Sequence, residues 1–256
     1  MKLTIIGSGP GGYVAALKAA QLGAHVTVIE DSAIGGTCLN KGCIPAKALI
    51  ASSEALNKAK RLEEFGIEIS GEVIPNLSKI MGRKDSIVST LSKGIQSLFK
   101  NWGINLIEGR GMLLTPQKVE VQKKDGSIEI INTDKIIIAT GSRPAQIPIF
   151  PFDGEHILSS DDALSIKSIP RSMTIIGGGA IGCEFSFIFK ALGTEINIVE
   201  LMPRVLSTED PEVSELLERE LHKKDIKLHK GVIVEKVEAN EKGVHLHLSN
   251  GKELVS

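Results

Sequence analysis

Cysteine is scarce in this sequence: there are three among 256 residues, at positions 38, 43 and 183. So few thiols exclude a secreted scaffold stapled by disulfides. Charge of one sign is lacking too. Thirty Lys and Arg stand against 31 Asp and Glu, for a formal net charge of −1, so no broad basic field draws the chain to nucleic acid. Short basic runs such as Lys58-Ala59-Lys60-Arg61 and Lys223-Lys224 read as solvated helix faces. No run approaches the ~20 apolar residues of a membrane span. The opening MKLTIIG is ended by glycine too soon for a signal-peptide core and reads as a first strand. Low-complexity segments are absent. These absences point to a cytoplasmic chain that engages neither nucleic acid nor membrane. With 42% hydrophobic and 24% charged residues, 256 residues suit about two domains.

What is present is a repeat. LTIIGSGPGGYVAALKAAQLGAHVTVIE (3–30) returns as MTIIGGGAIGCEFSFIFKALGTEINIVE (173–200). Gly7, Gly9, Gly12, Gly23 and Glu30 recur as Gly177, Gly179, Gly182, Gly193 and Glu200. Each copy has an apolar strand, a G-x-G-x-x-G turn, an apolar-periodic helix, a glycine stop and a strand ending in Glu. That is a βαβ unit with the dinucleotide fingerprint. The first glycine makes the tight turn, the second admits a pyrophosphate, and the third lets helix pack on strand. The phosphates face a helix N-terminus, and the acid accepts from ribose hydroxyls. Two such units predict two nucleotides, and a flavin with a nicotinamide is the natural pair for hydride transfer. Glu200 would repel a 2′-phosphate, which favours NAD over NADP. Arg204 is nearby, but Leu201, Met202 and Pro203 add no basic cluster.

Between and after the repeats, 44–65 and 77–101 read as amphipathic helices. INLIEGRGMLL (104–114), KVEVQ (118–122) and IEIINT (128–133) read as a β-meander with a turn at Asp125-Gly126. DKIIIATGSRP (134–144) reads as a buried strand. The Pro-rich RPAQIPIFPFDG after it is the best boundary between domains. DPEVSELLERELHKKD opens a helix at Asp210-Pro211, and GVIVEKVEA and GVHLHLS follow as strands.

Cys38 and Cys43 lie in GGTCLNKGCIPAK (35–47) as a C-x₄-C pair. They could be a buried structural pair, half a zinc site or a redox dithiol. Zinc needs four ligands. Cys183 sits in the second fingerprint, the six histidines are scattered, and His245 and His247 share a strand face without adjoining ligands. No metal is expected. Along an ideal helix five steps advance ~7.5 Å and turn ~140°, too far for a disulfide. If the pair bonds, the segment cannot be a regular helix throughout, and Gly42 and Gly35-Gly36 permit a break. In an intracellular chain such a bond would be catalytic.

GGTCLNKGCIPAKAL resembles the GGTCLNxGCIPSKAL signature of the dihydrolipoamide dehydrogenase branch of the flavin disulfide reductases. The order of first fingerprint, dithiol, ATGSRP and second fingerprint resembles that family along the whole chain. The resemblance implies an α/β fold of two Rossmann-like domains with parallel sheets and β-meander insertions. Residues 1–146 would bind FAD and carry the dithiol, and residues 147–256 would bind NAD. Gly7, Gly9, Pro10, Gly12 and Glu30 would hold the ADP half of FAD, with Gly36 and Thr37 beside it. Lys47 would sit by the flavin, paired with Glu184. Gly111 would offer backbone to the adenine side, and Thr140, Gly141 and Ser142 would close over the cofactor. Gly177, Gly178, Gly179, Ala180, Ile181 and Glu200 would hold NAD, with Val234 beside its adenine. Cys38 would be the interchange thiol and Cys43 the charge-transfer thiolate. Lys41 and Ala46 depart from the commoner Val and Ser, and Lys41 adds a charge that could lower a thiol pKa. Ala180 replaces a bulkier residue.

The implied reaction is oxidation of protein-bound dihydrolipoamide by NAD⁺. The implied partners are the lipoyl domain of a 2-oxo acid dehydrogenase complex or glycine cleavage system, and a second copy in the family's homodimer. Another disulfide reductase, glutathione- or mercuric-reductase-like, is the alternative within the class. No His-Pro-Thr segment for the family's base follows the second fingerprint. This predicts that the 256-residue chain alone turns over poorly, as a dinucleotide-binding module.

Overall fold

A computed structural model of the chain describes residues 1–240 and 243–256. The chain divides into two compact units. The first holds Met1–Pro45 and Lys84–Arg143, and the second holds Ala46–Arg83 and Pro144–Ser256.

In the first unit, β1 (Lys2–Ile6), α1 (Pro10–Gln21) and β2 (His25–Glu30) form the expected βαβ unit. β1 and β2 pair in parallel, Leu3 opposite Val26 and Ile5 opposite Val28. Both strands are covered on two faces, so they read as continuous apolar runs rather than alternating ones. Two short helices follow, α2 (Gly36–Lys41) and the start of α3 (Cys43–Ala59). From Lys84 onward, α4 (Leu77–Asn101) then leads into β3 (Asn105–Glu108). An antiparallel meander follows, made of β4 (Arg110–Thr115), β5 (Lys118–Gln122) and β6 (Ile128–Asn132). β7 (Lys135–Ile138) returns beside β1, giving a parallel sheet of order β3-β2-β1-β7. Leu3, Ile5, Val26, Val28, Ile95 and Phe99 form one core, and Ile6, Ile29, Val119 and Val121 form a second under the meander.

Two expectations are corrected here. Residues 104–114 are two strands: β3 joins the parallel sheet beside β2, and β4 alone opens the meander. The chain turns at Gly109, where a Cβ would lie 2.7 Å from Gln122 O. β7 is a half-exposed edge strand rather than a buried one, because β1 covers one side and nothing pairs the other among the described residues. The Asp125-Gly126 turn forms as expected, with Asp125 Oδ1 accepting from Ser127 N at 2.9 Å.

In the second unit, α5 (Ser160–Ala163) carries a capping box, Ser159 with Asp162. β8 (Ser172–Ile176), α6 (Ala180–Leu192) and β9 (Glu195–Glu200) repeat the βαβ unit, again parallel. α7 (Pro211–Lys223), capped by Asp210, leads to β10 (Lys227–Lys230) and a sheet of order β10-β9-β8. The antiparallel strands β11 (Val234–Asn240), β12 (Gly243–Leu248) and β13 (Glu253–Val255) close the chain. β10 and β13 have no counterpart in the sequence reading. Residues 46–83, expected with the first domain, group here with the second unit. Ala46, Leu49 and Leu56 of α3 share a core with Phe185, Ile188 and Phe189 of α6. The helix expected over 44–65 ends at Ala59 and a 3₁₀ turn takes Leu62–Phe65. Among the described residues, no helix is long and apolar enough to cross a membrane.

Candidate functional site

The two fingerprints fold alike. Gly7 and Gly177, after β1 and β8, have φ of 99° and 106°. Gly9 and Gly179 are the extended N-caps of α1 and α6. Pro10 opens α1, where a missing N–H costs nothing. A Cβ on Gly12 would run into Gly7 O, and one on Gly182 into Gly177 O. Glycine there is a packing requirement. A Cβ on Gly177 or Gly179 would meet no described atom within 4 Å, so open space lies at the N-terminus of α6. An open cleft of about 1470 Å³ runs along Ile176, Gly177, Gly179 and the exposed Ala180 and Ile181.

Each terminal acid is held in the same way. Glu30, buried at the end of β2, accepts from Ser8 N (2.8 Å) and Ser8 Oγ (2.6 Å) on one oxygen and from Ser32 N (2.9 Å) on the other. Glu200, half-buried at the end of β9, accepts from Gly178 N (2.6 Å) and Met202 N (2.7 Å). A carboxylate offers about four acceptor positions. Glu200 therefore keeps more capacity for a ribose than Glu30. Ser8 was not anticipated. It is fully buried and also accepts from Gly35 N at 3.2 Å, which joins fingerprint, acid and dithiol loop. Its only sequence signal is a small polar residue between two fingerprint glycines.

The dithiol segment packs on the first fingerprint. A Cβ on Gly36 would lie 2.5 Å from Gly9 Cα. Thr37 Oγ1 donates to Ser142 O at 3.3 Å, and a Cβ on Gly141 would lie 3.8 Å from Thr37 Oγ1. Gly9, Gly36, Thr37, Gly141 and Ser142 thus converge, with Thr140 preceding on the same loop. Asn40, also unanticipated, ties α2 back through Ile34 O (3.0 Å) and Gly36 O (2.9 Å). Cys38 is half-buried in α2, and Cys43 is exposed at the start of α3. The two are not bonded to each other in this structure, and the helix breaks between them at Gly42.

The remaining candidates are placed as follows. Gly111 lies on β4 against the sheet, where a Cβ would be 3.1 Å from Ile6 Cγ2. Lys47 and Glu184, in the second unit, form an ion pair. Val234 is buried with Val199, Leu246 and Leu248, so its side chain is committed to that core and its backbone alone is available. Cys183 lies under the second turn, its thiol 3.4 Å from Gly178 O and pushed up to about 11 by burial and then by Glu200. The fold brings carboxylates beside one histidine that sequence left alone: His247 lies 3.5 Å from Glu238 and 3.1 Å from Glu253. Among the described residues, no group of three or more His, Cys, Asp or Glu is arranged to hold a metal.

Two parallel βαβ units with dinucleotide-type glycine turns, and a thiol pair at the break between two helices, define an α/β protein. The sequence model of the pyridine nucleotide-disulphide oxidoreductases matches residues 1–256, and the chain belongs to that family. It is 42% identical to a dihydrolipoyl dehydrogenase of Bacillus subtilis over 90% of this chain and 50% of the relative. It is 38% identical to dihydrolipoyl dehydrogenase 2 of Haloarcula marismortui over 100% of this chain and 54% of the relative. The crystal structure of LpdA from Mycobacterium tuberculosis matches with a TM-score of 0.91 at 28% identity, covering 99% of this chain and 56% of that one. The chain spans about half the length of the curated relatives it matches.

Proposed function

We propose that this chain supplies the two nucleotide sites and the redox dithiol of an NAD-linked dihydrolipoyl dehydrogenase. The observation that carries the reading is the contact of Gly36 with Gly9, which seats the C-x₄-C segment on the first fingerprint. Gly7, Gly9, Gly12, Glu30, Thr37 and Ser142 would hold FAD, and Gly177, Gly179, Gly182 and Glu200 would hold NAD. The second cradle fits such a group, because its glycines leave open space at the N-terminus of α6, and the dipole at both helix starts favours pyrophosphate. When bound, the two cofactors supply the two-electron and hydride chemistry that returns the dithiol to a disulfide.

The protein's own step is thiol–disulfide exchange. A dihydrolipoamide thiolate attacks the Cys38 sulfur of a Cys38–Cys43 disulfide, forming a mixed disulfide and releasing Cys43 as thiolate. The second substrate thiol, as thiolate, attacks the substrate sulfur of the mixed disulfide. Lipoamide leaves with its ring disulfide closed, and Cys38 leaves as thiolate. Two electrons pass from substrate to the Cys38–Cys43 pair, and the two substrate thiol protons go to solvent as the attacking thiolates form. Lys47, paired with Glu184, would sit by the flavin. Glu200 selects NAD by accepting from ribose hydroxyls and repelling a 2′-phosphate. The lipoyl domain of a 2-oxo acid dehydrogenase complex is the matching substrate carrier.

The visible spectrum of the purified protein with added FAD tests this reading. A bound flavin band, with a long-wavelength shoulder on partial reduction, is expected. A folded protein that takes up no flavin would overturn it.

A further inference from the structure

The repeat continues past its acids, and there the two copies differ. In the first unit buried Ile34 is followed by Gly35, whose φ is 96° and whose N–H reaches Ser8 O at 3.2 Å. In the second unit buried Val205 is followed by Leu206, whose N–H reaches Gly178 O at 2.9 Å. Ser8 and Gly178 are the same fingerprint position, so Leu206 stands where the first copy has glycine. Leu206 nevertheless has φ of 48°, and it and Asp225 are the two non-glycine residues with positive φ among the described residues. A leucine there bears the Cβ clash that a glycine escapes.

Two residues earlier the first copy has Ala33 and the second has Arg204. Arg204 Nη2 donates to Ser207 O (3.1 Å) and Glu209 O (3.2 Å). Leu206 O in turn accepts from Glu209 N (2.8 Å) and Ser214 Oγ (3.2 Å). The guanidinium closes the turn around the strained residue. Its Nε is buried without a hydrogen-bond partner among the described residues. Such a group opposes folding unless the side chain's other bonds are needed. The turn also bears on the nucleotide cradle. A Cβ on Gly178 would lie 2.9 Å from Val205 Cγ1, and Gly178 N is the donor that orients Glu200.

We infer that Arg204 is a positioning residue of the second nucleotide site. It holds Leu206 in the left-handed turn, and through the Leu206–Gly178 bond and the Val205 contact it fixes Gly178 and Glu200 for the ribose of a dinucleotide. The ribose part rests on reading the second unit as the NAD site. The first copy dispenses with the arginine because Gly35 needs no such support.

The test is a cycle of Arg204→Met, Leu206→Gly and the double variant in the 256-residue chain, read by amide exchange at residues 178 and 206 and by NAD⁺ titration. Releasing strain of the size typical for a non-glycine left-handed residue should raise exchange in Arg204→Met on the order of tenfold or more and weaken NAD⁺ binding by about as much. Leu206→Gly alone should change little, and the double variant should return both readouts close to those of Leu206→Gly. Unchanged exchange in Arg204→Met, or failure of Leu206→Gly to rescue it, would overturn the inference. A wild-type chain that binds no NAD⁺ would sink the NAD reading and the ribose role with it, while exchange would still decide whether Arg204 holds the turn.

Discussion

Cys183 shows how far one residue's environment fixes its chemistry. Burial, reinforced by the charge of Glu200, raises its thiol from 9.0 to about 11. A thiol whose folded pKa is raised holds its proton longer than the unfolded chain does. Its contribution to stability is therefore full below pH 9 and is lost as pH rises from 9 towards 11. At 1.36 kcal/mol per unit the loss is roughly 2–3 kcal/mol. Cys183→Ala should flatten the decline in melting temperature over that range, and a decline as steep as the wild type's would refute the assignment. Alkylation should separate the three thiols: Cys38 and Cys43 should change reactivity with prior reduction, and Cys183 should not. Both thiols of the pair staying reactive in air-exposed, flavin-loaded protein would count against a redox role. Glu200 is the matching case for binding. Hydrogen bonds to a charged group contribute about 1.5–3 kcal/mol, so Glu200→Ala should weaken NAD binding roughly ten- to a hundredfold and narrow the preference over NADP. Wild-type protein that already bound NADP equally well would show that the acid does not discriminate. Glu200 and the cysteines were legible in sequence because fixed spacing marks them. Ser8 and Asn40 were not, because their roles depend on partners that only the fold brings near.

At the scale of elements, the consequential feature is the break between α2 and α3. A single helix over both cysteines would hold their side chains on different faces, whereas two helices meeting at Gly42 need not. A Cβ on Gly42 would lie 3.1 Å from Thr37 O and 3.2 Å from Cys38 Cα, so the turn is packed as tightly as glycine allows. Overpacking of this kind typically costs about 1–3 kcal/mol. Gly42→Ala should therefore slow closure of the Cys38–Cys43 disulfide by oxidised glutathione by about tenfold or more while leaving the melting of the second unit unchanged. Closure at the wild-type rate would mean the break does not set the thiol geometry. The break itself was foreseeable from the C-x₄-C spacing and the glycines. The division of 104–114 into two strands was not, since both halves are apolar and Gly109 reads as one more strand residue until Gln122 is seen against it. β7 misled for a related reason. Three isoleucines in a row signal burial on both faces, yet Ile138 is 64% exposed because β7 is the last strand of its sheet. Periodicity reports the faces of a strand and is silent about its neighbours.

At the scale of the whole molecule, the chain is one βαβ plan used twice and elaborated differently. Each unit has a parallel sheet, a glycine turn, a helix and an acid held by the residue between two glycines. The first continues into the dithiol helix, and the second into the Arg204 loop and α7. If the two cradles serve different nucleotides, disabling one should leave the other's affinity intact. Gly12 and Gly182 are the positions to use, because an added methyl would run into the carbonyl oxygen of Gly7 or Gly177 within its own unit. At about 1–3 kcal/mol of overpacking, each alanine should weaken its own nucleotide by roughly five- to 150-fold. Gly12→Ala should lose the flavin band while NAD⁺ titrates as in wild type. Gly182→Ala should keep the flavin and lose NAD⁺ affinity. Absorbance at the flavin band and calorimetric titration of NAD⁺ read the two arms in the same preparations. Loss of both nucleotides in either variant, with melting unchanged, would mean that the copies do not act as separate sites, and the assignment of one cofactor to each would fall.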